Sequence, residues 1–487
     1  MQAIGRESNI RMGITSLCGC EDVCVPGLHM EMWRRLAPCR RPPGVAALSR
    51  CNLPCVCYHR FIMGESKFII VGGNPLRGEV RVGGAKNSVL KLMAASLLTP
   101  EECLIHNVPR ITDVKIMVEV LRCLGVEVGW EGNSLRIRSG EFPSREAPYH
   151  LVRRMRASII VLGPLVARWG EASVAIPGGC NIGSRKIDMH LKGLAELGAE
   201  ISTEHGYVHA RASRLKGTHI ILDFPSVGAT ENLIMAAVGA EGHTIIENAA
   251  REPEIQDLAA YLVSMGAEIE GAGTPVIEVT GPAELRGTEH TAIGDRIEAG
   301  TLAVAAAVSA GDVTIEGVDP GHLGLPLEKL REVGVGIEEE EGRLRVKGGG
   351  EYGSVDLATL PFPGFPTDLQ PQLMVLLSLA GGTSVITENV FESRFMFVDE
   401  LNRMGCDINI EGHHAIVKGV GALSGAEVCA PDLRAGAALV LAGLAAEGET
   451  HLLDVQHVDR GYEDLEDKLS RLGADIKRVG VEEEPLL

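Results

Sequence analysis

Six short segments of this chain gather glycines, helix-capping residues and isolated charges just ahead of apolar runs. They read GGAKNS (83–88), RRMRAS (153–158), SVGATEN (226–232), GDRIEAGT (294–301), FPTDLQ (365–370) and PDLRAG (431–436). The start of a helix carries unpaired N–H groups and the positive end of the helix dipole, so such segments suit anions. Lys86, Arg156 and Arg434 lie inside three of them and add formal positive charge. Asp368 lies in a fourth, where the dipole favours a first-turn carboxylate and Thr367 with Gln370 could form a capping box. Asp113, Asp295 and Asp432 occupy similar loops and read as caps or closure contacts. Cys180 stands apart, in PGGCNIGSRKIDMH (177–190), with Gly178 and Gly179 before it and Gly183 after it. Most free cysteines are small buried hydrophobes, but a glycine loop makes a poor core. Arg185 nearby favours the thiolate and lowers the thiol's pKa. The chemistry these residues suit is the binding of anions in one cleft, beside a reactive thiol and a carboxylate.

The elements that must position them repeat. LGVEV, LGAEI, MGAEI, VGVGI, MGCDI and LGADI place glycines at 125, 198, 266, 334, 405 and 473, in steps of 73, 68, 68, 71 and 68 residues. Each phrase closes an amphipathic helix with a glycine and opens a strand, turn and strand, as in LEKLREVGVGIEEEEGRLRVKG from Leu327. Ahead of each lies a second helix, such as TLAVAAAVSA or AALVLAGLAA, apolar on every face and therefore buried on every face. The expected unit is one buried helix, one surface helix and about four strands. Six units in two groups of three, helices inside and sheets outside, would bring the six helix starts together.

The bulk numbers bound the rest. At 487 residues, 45% hydrophobic and 23% charged, the chain is of ordinary globular composition. A net charge of −19 and 4% aromatics argue against a nucleic-acid partner, which calls for a basic face and stacking rings. The longest apolar stretch, about 435–446, is too short to span a bilayer, and no signal-peptide pattern opens the chain, so the expected setting is the cytoplasm. Seven of twelve cysteines fall in the first 57 residues without zinc-ribbon spacing. Residues 1–66 lie outside the repeat and read as a disordered extension or as preceding a start at Met63.

The helix starts, together with the cysteine loop, NAAREPEI (248–255), FESRFMFVDEL (391–401), DLRAGAALVLAG and DRGYEDLEDKL (459–469), resemble the UDP-N-acetylglucosamine 1-carboxyvinyltransferases of the enolpyruvyl transferase family. The resemblance runs from about Lys67 to about Val479 with every landmark in order. It implies an α/β fold: a two-domain inside-out barrel of six units, three per domain. It further implies one domain of 67–85 with 294–487, the other of 86–293. The implied reaction is attack of a sugar 3-hydroxyl on C2 of phosphoenolpyruvate, then loss of phosphate. That chemistry needs cations for a phosphate and a carboxylate, a base for the hydroxyl and an acid for the methylene carbon, but no metal or organic cofactor.

By the same resemblance Lys86 binds phosphate and Asn87, otherwise a plain helix cap, holds the sugar nucleotide. Arg156 and Arg185 face phosphoenolpyruvate and its phosphate, Arg394 and Arg434 hold its carboxylate, and Arg460 clamps the closed site. Planar guanidinium forks suit these anions, although a lone surface arginine contributes little. Cys180 is implied as general acid to C3 and as the target of fosfomycin, and Asp368 as the base. The nucleotide is implied at Arg185, Lys186, Ile187, Asp188 and Met189, at Ser226, Val227 and Gly228, and at the backbone of Val390. Lys186 and Phe224 depart from the family's proline and lysine, which bears on nucleotide affinity more than on chemistry. GVGALSG (419–425) resembles a dinucleotide loop but leads into no clear helix. The alternatives are a 5-enolpyruvylshikimate-3-phosphate synthase-like transferase, which shares fold and half-reaction, a catalytically silent metabolite-binding paralogue, and a DNA-encircling clamp.

Overall fold

A computed structural model of the chain describes residues 66–140, 144–176 and 187–480. Six four-stranded sheets surround the buried helices, and each repeats one pattern of a parallel pair followed by two antiparallel pairings. In the sheet of His219–Ile221, Gly242–Glu247, Val276–Gly281 and Glu268–Glu270, the first two strands run parallel and the last two form an antiparallel hairpin. The parallel pair is joined by a buried helix, Val227–Ala237, and the hairpin is reached through a surface helix, Pro253–Met265. Strands alternate inward and outward residues: in Arg343–Lys347, Leu344 and Val346 are buried while Arg343 and Arg345 face solvent.

All six phrase glycines adopt positive φ, between +83° and +114°, where a side chain would be strained. They end the surface helices and release the chain into the hairpins, so the 68–73-residue rhythm is a rhythm of helix ends.

The inner helices are Lys86–Ala95, Leu162–Trp169, Val227–Ala237, Arg296–Val308, Gln370–Ser378 and Leu433–Ala445. The last is buried from Leu433 through Leu444, as an all-apolar sequence requires. The buried apolar side chains separate into two cores. One runs from Val89 to Ala292; the other combines Phe68–Val82 with Ile297–Ile476. Ser66–Val71 is an inner strand of the final sheet, between Glu449–Leu453 and Asp475–Gly480, and Arg77–Arg81 pairs with Asp312–Glu316. Conversely Glu289–Thr291 completes the sheet of Glu102–His106.

The chain therefore passes between the cores twice, and the two passages bond to each other. Ala85 N–H donates to Ile293 O at 2.7 Å, Asp295 N–H donates to Gly83 O at 2.9 Å, and Gly84 faces Gly294. A Cβ on Gly84 would stand 1.7 Å from Asn107 O, and one on Gly294 would stand 1.8 Å from Gly317 O, so neither position admits a side chain without displacing backbone. Among the described residues no helix is long and apolar enough to cross a membrane.

Candidate active site

The crossing fixes two helix starts side by side. Asp295 caps Arg296–Val308 through Ile297 and Glu298 N–H, and its other oxygen accepts Lys86 N–H at 3.1 Å. Lys86 is thereby the first residue of its helix, and its Nζ lies 2.8 Å from Asp113, a buried first-turn residue of Thr112–Cys123. Asp113 also accepts from Arg460 at 3.0 Å, which joins the first core to the second. Burial, with Arg434 and Arg460 adding to it, outweighs Asp113 and lowers the Lys86 pKa. Burial works to raise Asp113, but Lys86 and Arg460 hold it below the usual carboxylate range.

A second carboxylate holds two more cations. Asp368 lies in the single turn Thr367–Leu369 before Gln370–Ser378 and accepts from Arg434 at 3.0 Å and Arg394 at 3.3 Å. Arg434 is the second residue of the helix Leu433–Ala445, which Asp432 caps, and its guanidinium lies 5.4 Å from the Tyr462 ring. The Tyr462 hydroxyl is fixed by Thr301 at 2.9 Å and Gln372 at 3.2 Å. Arg394 is 2% exposed and donates to Thr367 O at 3.0 Å. Among the described residues, buried Arg394 Nε and Arg434 Nη1 find no hydrogen-bond partner.

The expected capping box is absent, because Thr367 donates its hydroxyl to Glu388 at 3.0 Å and neither amide atom of buried Gln370 finds a partner. Glu388 also takes the N–H of Val390, at 2.8 Å, so that backbone donor is engaged within the protein. The cap roles of Asp295 and Asp432 hold, while Asp113 is an ion-pair centre.

The residues expected at the nucleotide form a neighbouring group. Arg156 opens the turn Arg156–Val161, which packs against Lys86–Ala95 and Val227–Ala237. Ser226 caps the latter helix, and a Cβ on Gly228 would lie 3.3 Å from the ring of His190. His190 bonds Asn232 at 3.0 Å; burial, then the Arg156 charge, lowers its pKa to about 4 and keeps it neutral. Ile187 and Met189 are half-buried, and Asp188 is exposed at the start of Asp188–Glu196. Val227 and Asn87 are half-buried, each in the first turn of its helix. Cys180, Arg185 and Lys186 lie outside the described residues. Among the described residues no group of side chains could hold a metal ion.

Several site residues went unnamed in the sequence reading: Tyr462, Glu388 and the buried set Lys91, Glu231, Glu252, Glu254 and Arg296. Charges at the mouths of apolar helices were their signal, since SVGATEN and GDRIEAGT contain Glu231 and Arg296. Glu231 is fully buried, with Lys91 beside it at 3.3 Å. Burial outweighs that charge, and Glu254 and Glu252 reinforce it, pushing the carboxyl up to about 8 from about 4.5. Between those values folding takes up a proton, so this group's contribution to stability falls as pH rises from about 4.5 to about 8. Glu231→Gln is therefore expected to raise Tm relative to the parent more at pH 8 than at pH 5. An equal shift at both would show the carboxylate to be ionised throughout.

Comparison with known proteins places this fold. The family model for EPSP synthase (3-phosphoshikimate 1-carboxyvinyltransferase) matches residues 70–469. The solved enolpyruvyl transferase NikO from Streptomyces tendae is 28% identical, with a TM-score of 0.78 over 86% of this chain and all of that one. EPSP synthase from Acinetobacter baumannii, 21% identical, has a TM-score of 0.68 over 85% of this chain and all of that one, and so shares the two-domain inside-out barrel. UDP-N-acetylglucosamine 1-carboxyvinyltransferase 1 of Caldanaerobacter subterraneus subsp. tengcongensis is 55% identical across 85% of this chain and 100% of its own length. The Mycobacterium bovis protein of the same enzyme name is 54% identical across 85% and 99%. The chain belongs to the enolpyruvyl transferase family, in its UDP-N-acetylglucosamine 1-carboxyvinyltransferase branch.

Proposed function

We propose that the chain transfers the enolpyruvyl group of phosphoenolpyruvate to the 3-hydroxyl of UDP-N-acetylglucosamine, releasing phosphate and making the first committed intermediate of peptidoglycan. The observation that carries this is the arrangement of four cations on two carboxylates: Lys86 and Arg460 on Asp113, Arg394 and Arg434 on Asp368. One pair suits a phosphate and the other a carboxylate, the two anions of phosphoenolpyruvate. Both substrates are charged phosphate compounds that do not cross a bilayer unaided, which supports a cytoplasmic setting.

In the addition step the sugar oxygen bonds C2 of phosphoenolpyruvate, its proton passes to Asp368, and the methylene carbon C3 takes a proton from Cys180. In the elimination step the bond from C2 to the phosphate oxygen breaks, a proton leaves C3, and the double bond re-forms in the enol ether. Lys86, Arg156 and Arg185 neutralise the departing phosphate. Arg394 and Arg434 hold the carboxylate that keeps C2 in line, and Arg460 closes the cleft. Asn87, Arg185 to Met189, Ser226 to Gly228 and Val390 hold the sugar nucleotide. The two apolar cores act as domains, 67–85 with 294–487 and 86–293.

Phosphate release from phosphoenolpyruvate, measured with UDP-N-acetylglucosamine or shikimate 3-phosphate as acceptor, tests this. Turnover is expected with the sugar nucleotide alone; turnover with the shikimate acceptor only would move the chain to the sister activity, and none with either would mark a silent paralogue. In the same assay Cys180→Ala is expected to abolish fosfomycin labelling and reduce turnover sharply. Labelling at the parent level would show that another cysteine is the target.

A further inference from the structure

We propose that the turn at 360–366 is a strap, fastened through Phe362 to Glu252 of the opposite core and to Arg296, which Glu254 of that core holds, and that these are positioning residues for Asp368. The role rests on the reading of Asp368 as the base.

The turn is closed on itself by Leu360 N–H to Phe365 O at 3.0 Å and Gly364 N–H to Pro361 O at 2.8 Å. Its tip, Phe362, meets two groups that belong to neither the turn nor its sheet. The N–H of Phe362 donates to Glu252 at 3.4 Å, and the Arg296 guanidinium lies 5.6 Å from its ring. Glu252 precedes the helix Pro253–Met265 of the first core, and Arg296 opens the helix Arg296–Val308 of the second. Glu254 ties them together, accepting from Arg296 at 3.0 Å and 3.3 Å with both side chains buried. The far end of the strap is fixed to the second core, since Thr367 bonds Glu388 and its carbonyl accepts from Arg394. Asp368 is the next residue. It is therefore held between a clamp on one core and an anchor on the other.

Stability alone gives little reason for such a clamp. A buried ion pair is commonly matched or bettered by apolar residues of similar volume, so it is weak evidence of a stabilising role. What the pair provides is a fixed direction, and proton transfer is sensitive to displacements of about 1 Å, which cost roughly 10²-fold in rate.

The test compares Phe362→Ala, Phe362→Tyr and Glu254→Gln in the full chain. Phe362→Ala and Glu254→Gln are expected to lower kcat for phosphate release by about 10²-fold. The KM for phosphoenolpyruvate should stay within about threefold, and Phe362→Tyr, which keeps the ring, should restore kcat. Hydrogen exchange at 360–369 in the ligand-free protein should accelerate in the first two variants only. Unchanged exchange would show that the strap is not held by these groups. Faster exchange with kcat intact, or a loss confined to KM, would show that the strap does not serve Asp368. Parent activity with UDP-N-acetylglucosamine is the control: its absence sinks the functional reading itself, whereas a parent that turns over beside variants that match it sinks only the positioning role.

Discussion

Asp368→Asn is expected to lower kcat by about 10³-fold, within the range general-base catalysis supplies, while phosphoenolpyruvate binds as well as before or better. The asparagine keeps the volume of the side chain and one acceptor oxygen, but it cannot take the proton of the sugar hydroxyl. The expectation for affinity comes from the ion pairs. Without substrate, Asp368 occupies Arg394 and Arg434 at 3.3 Å and 3.0 Å, in competition with a substrate carboxylate. Weakening that competition favours the ligand. Steady-state kinetics with direct titration of phosphoenolpyruvate separates the two effects. A kcat within threefold of the parent would remove Asp368 from the proton path, and a parallel loss of affinity would reduce it to scaffold.

Arg434→Met should cost about 3 kcal/mol in kcat/KM for phosphoenolpyruvate, roughly 10²-fold, the scale for losing one partner of a desolvated charge pair. The side chain is 3% exposed, stacked on a Tyr462 that is itself held by Thr301 and Gln372, and has one buried N–H without a partner. Such a rack fixes the plane of the guanidinium fork. Arg434→Lys restores the charge but not the fork, so recovery of less than tenfold is expected. Melting temperature distinguishes this from misfolding: Asp368 keeps Arg394 as a partner, so Tm should fall by no more than a few degrees. A fall of Tm in proportion to activity would argue for a structural role instead.

Most of the architecture was legible in the sequence because the repeat is written in backbone constraints. A glycine at positive φ every 68–73 residues and a helix apolar on all sides leave few ways to arrange a unit. The cation positions were legible for the same reason, since a lysine or arginine at the mouth of an apolar helix has few places to go. The partners of those cations were not. Nothing near Lys86 in sequence points to Asp113, 27 residues away, or to Arg460 on the other core. Thr367 followed three residues later by Gln370 suggested a local cap, but the hydroxyl turned instead to Glu388, a tertiary partner that outcompeted the local one. Glu231, Glu254 and Arg296 sat inside quoted motifs and read there as ordinary charges, because only the folded chain shows that they have no water.

The double crossing has a consequence for how the molecule is made. Residues 86–293 enter and leave at one bridge, and every strand of this core's three sheets lies within them, so those sheets can be complete as soon as Glu289–Thr291 is synthesised. The other core cannot. Ser66–Val71, made early, is an inner strand whose two neighbours, Glu449–Leu453 and Asp475–Gly480, come almost last. For most of translation it is an apolar strand with two open edges, the kind of segment that pairs with the wrong chain. Residues 449–480 are thus what seals the protein, and a chain that stops short of them carries an open strand rather than a shortened enzyme.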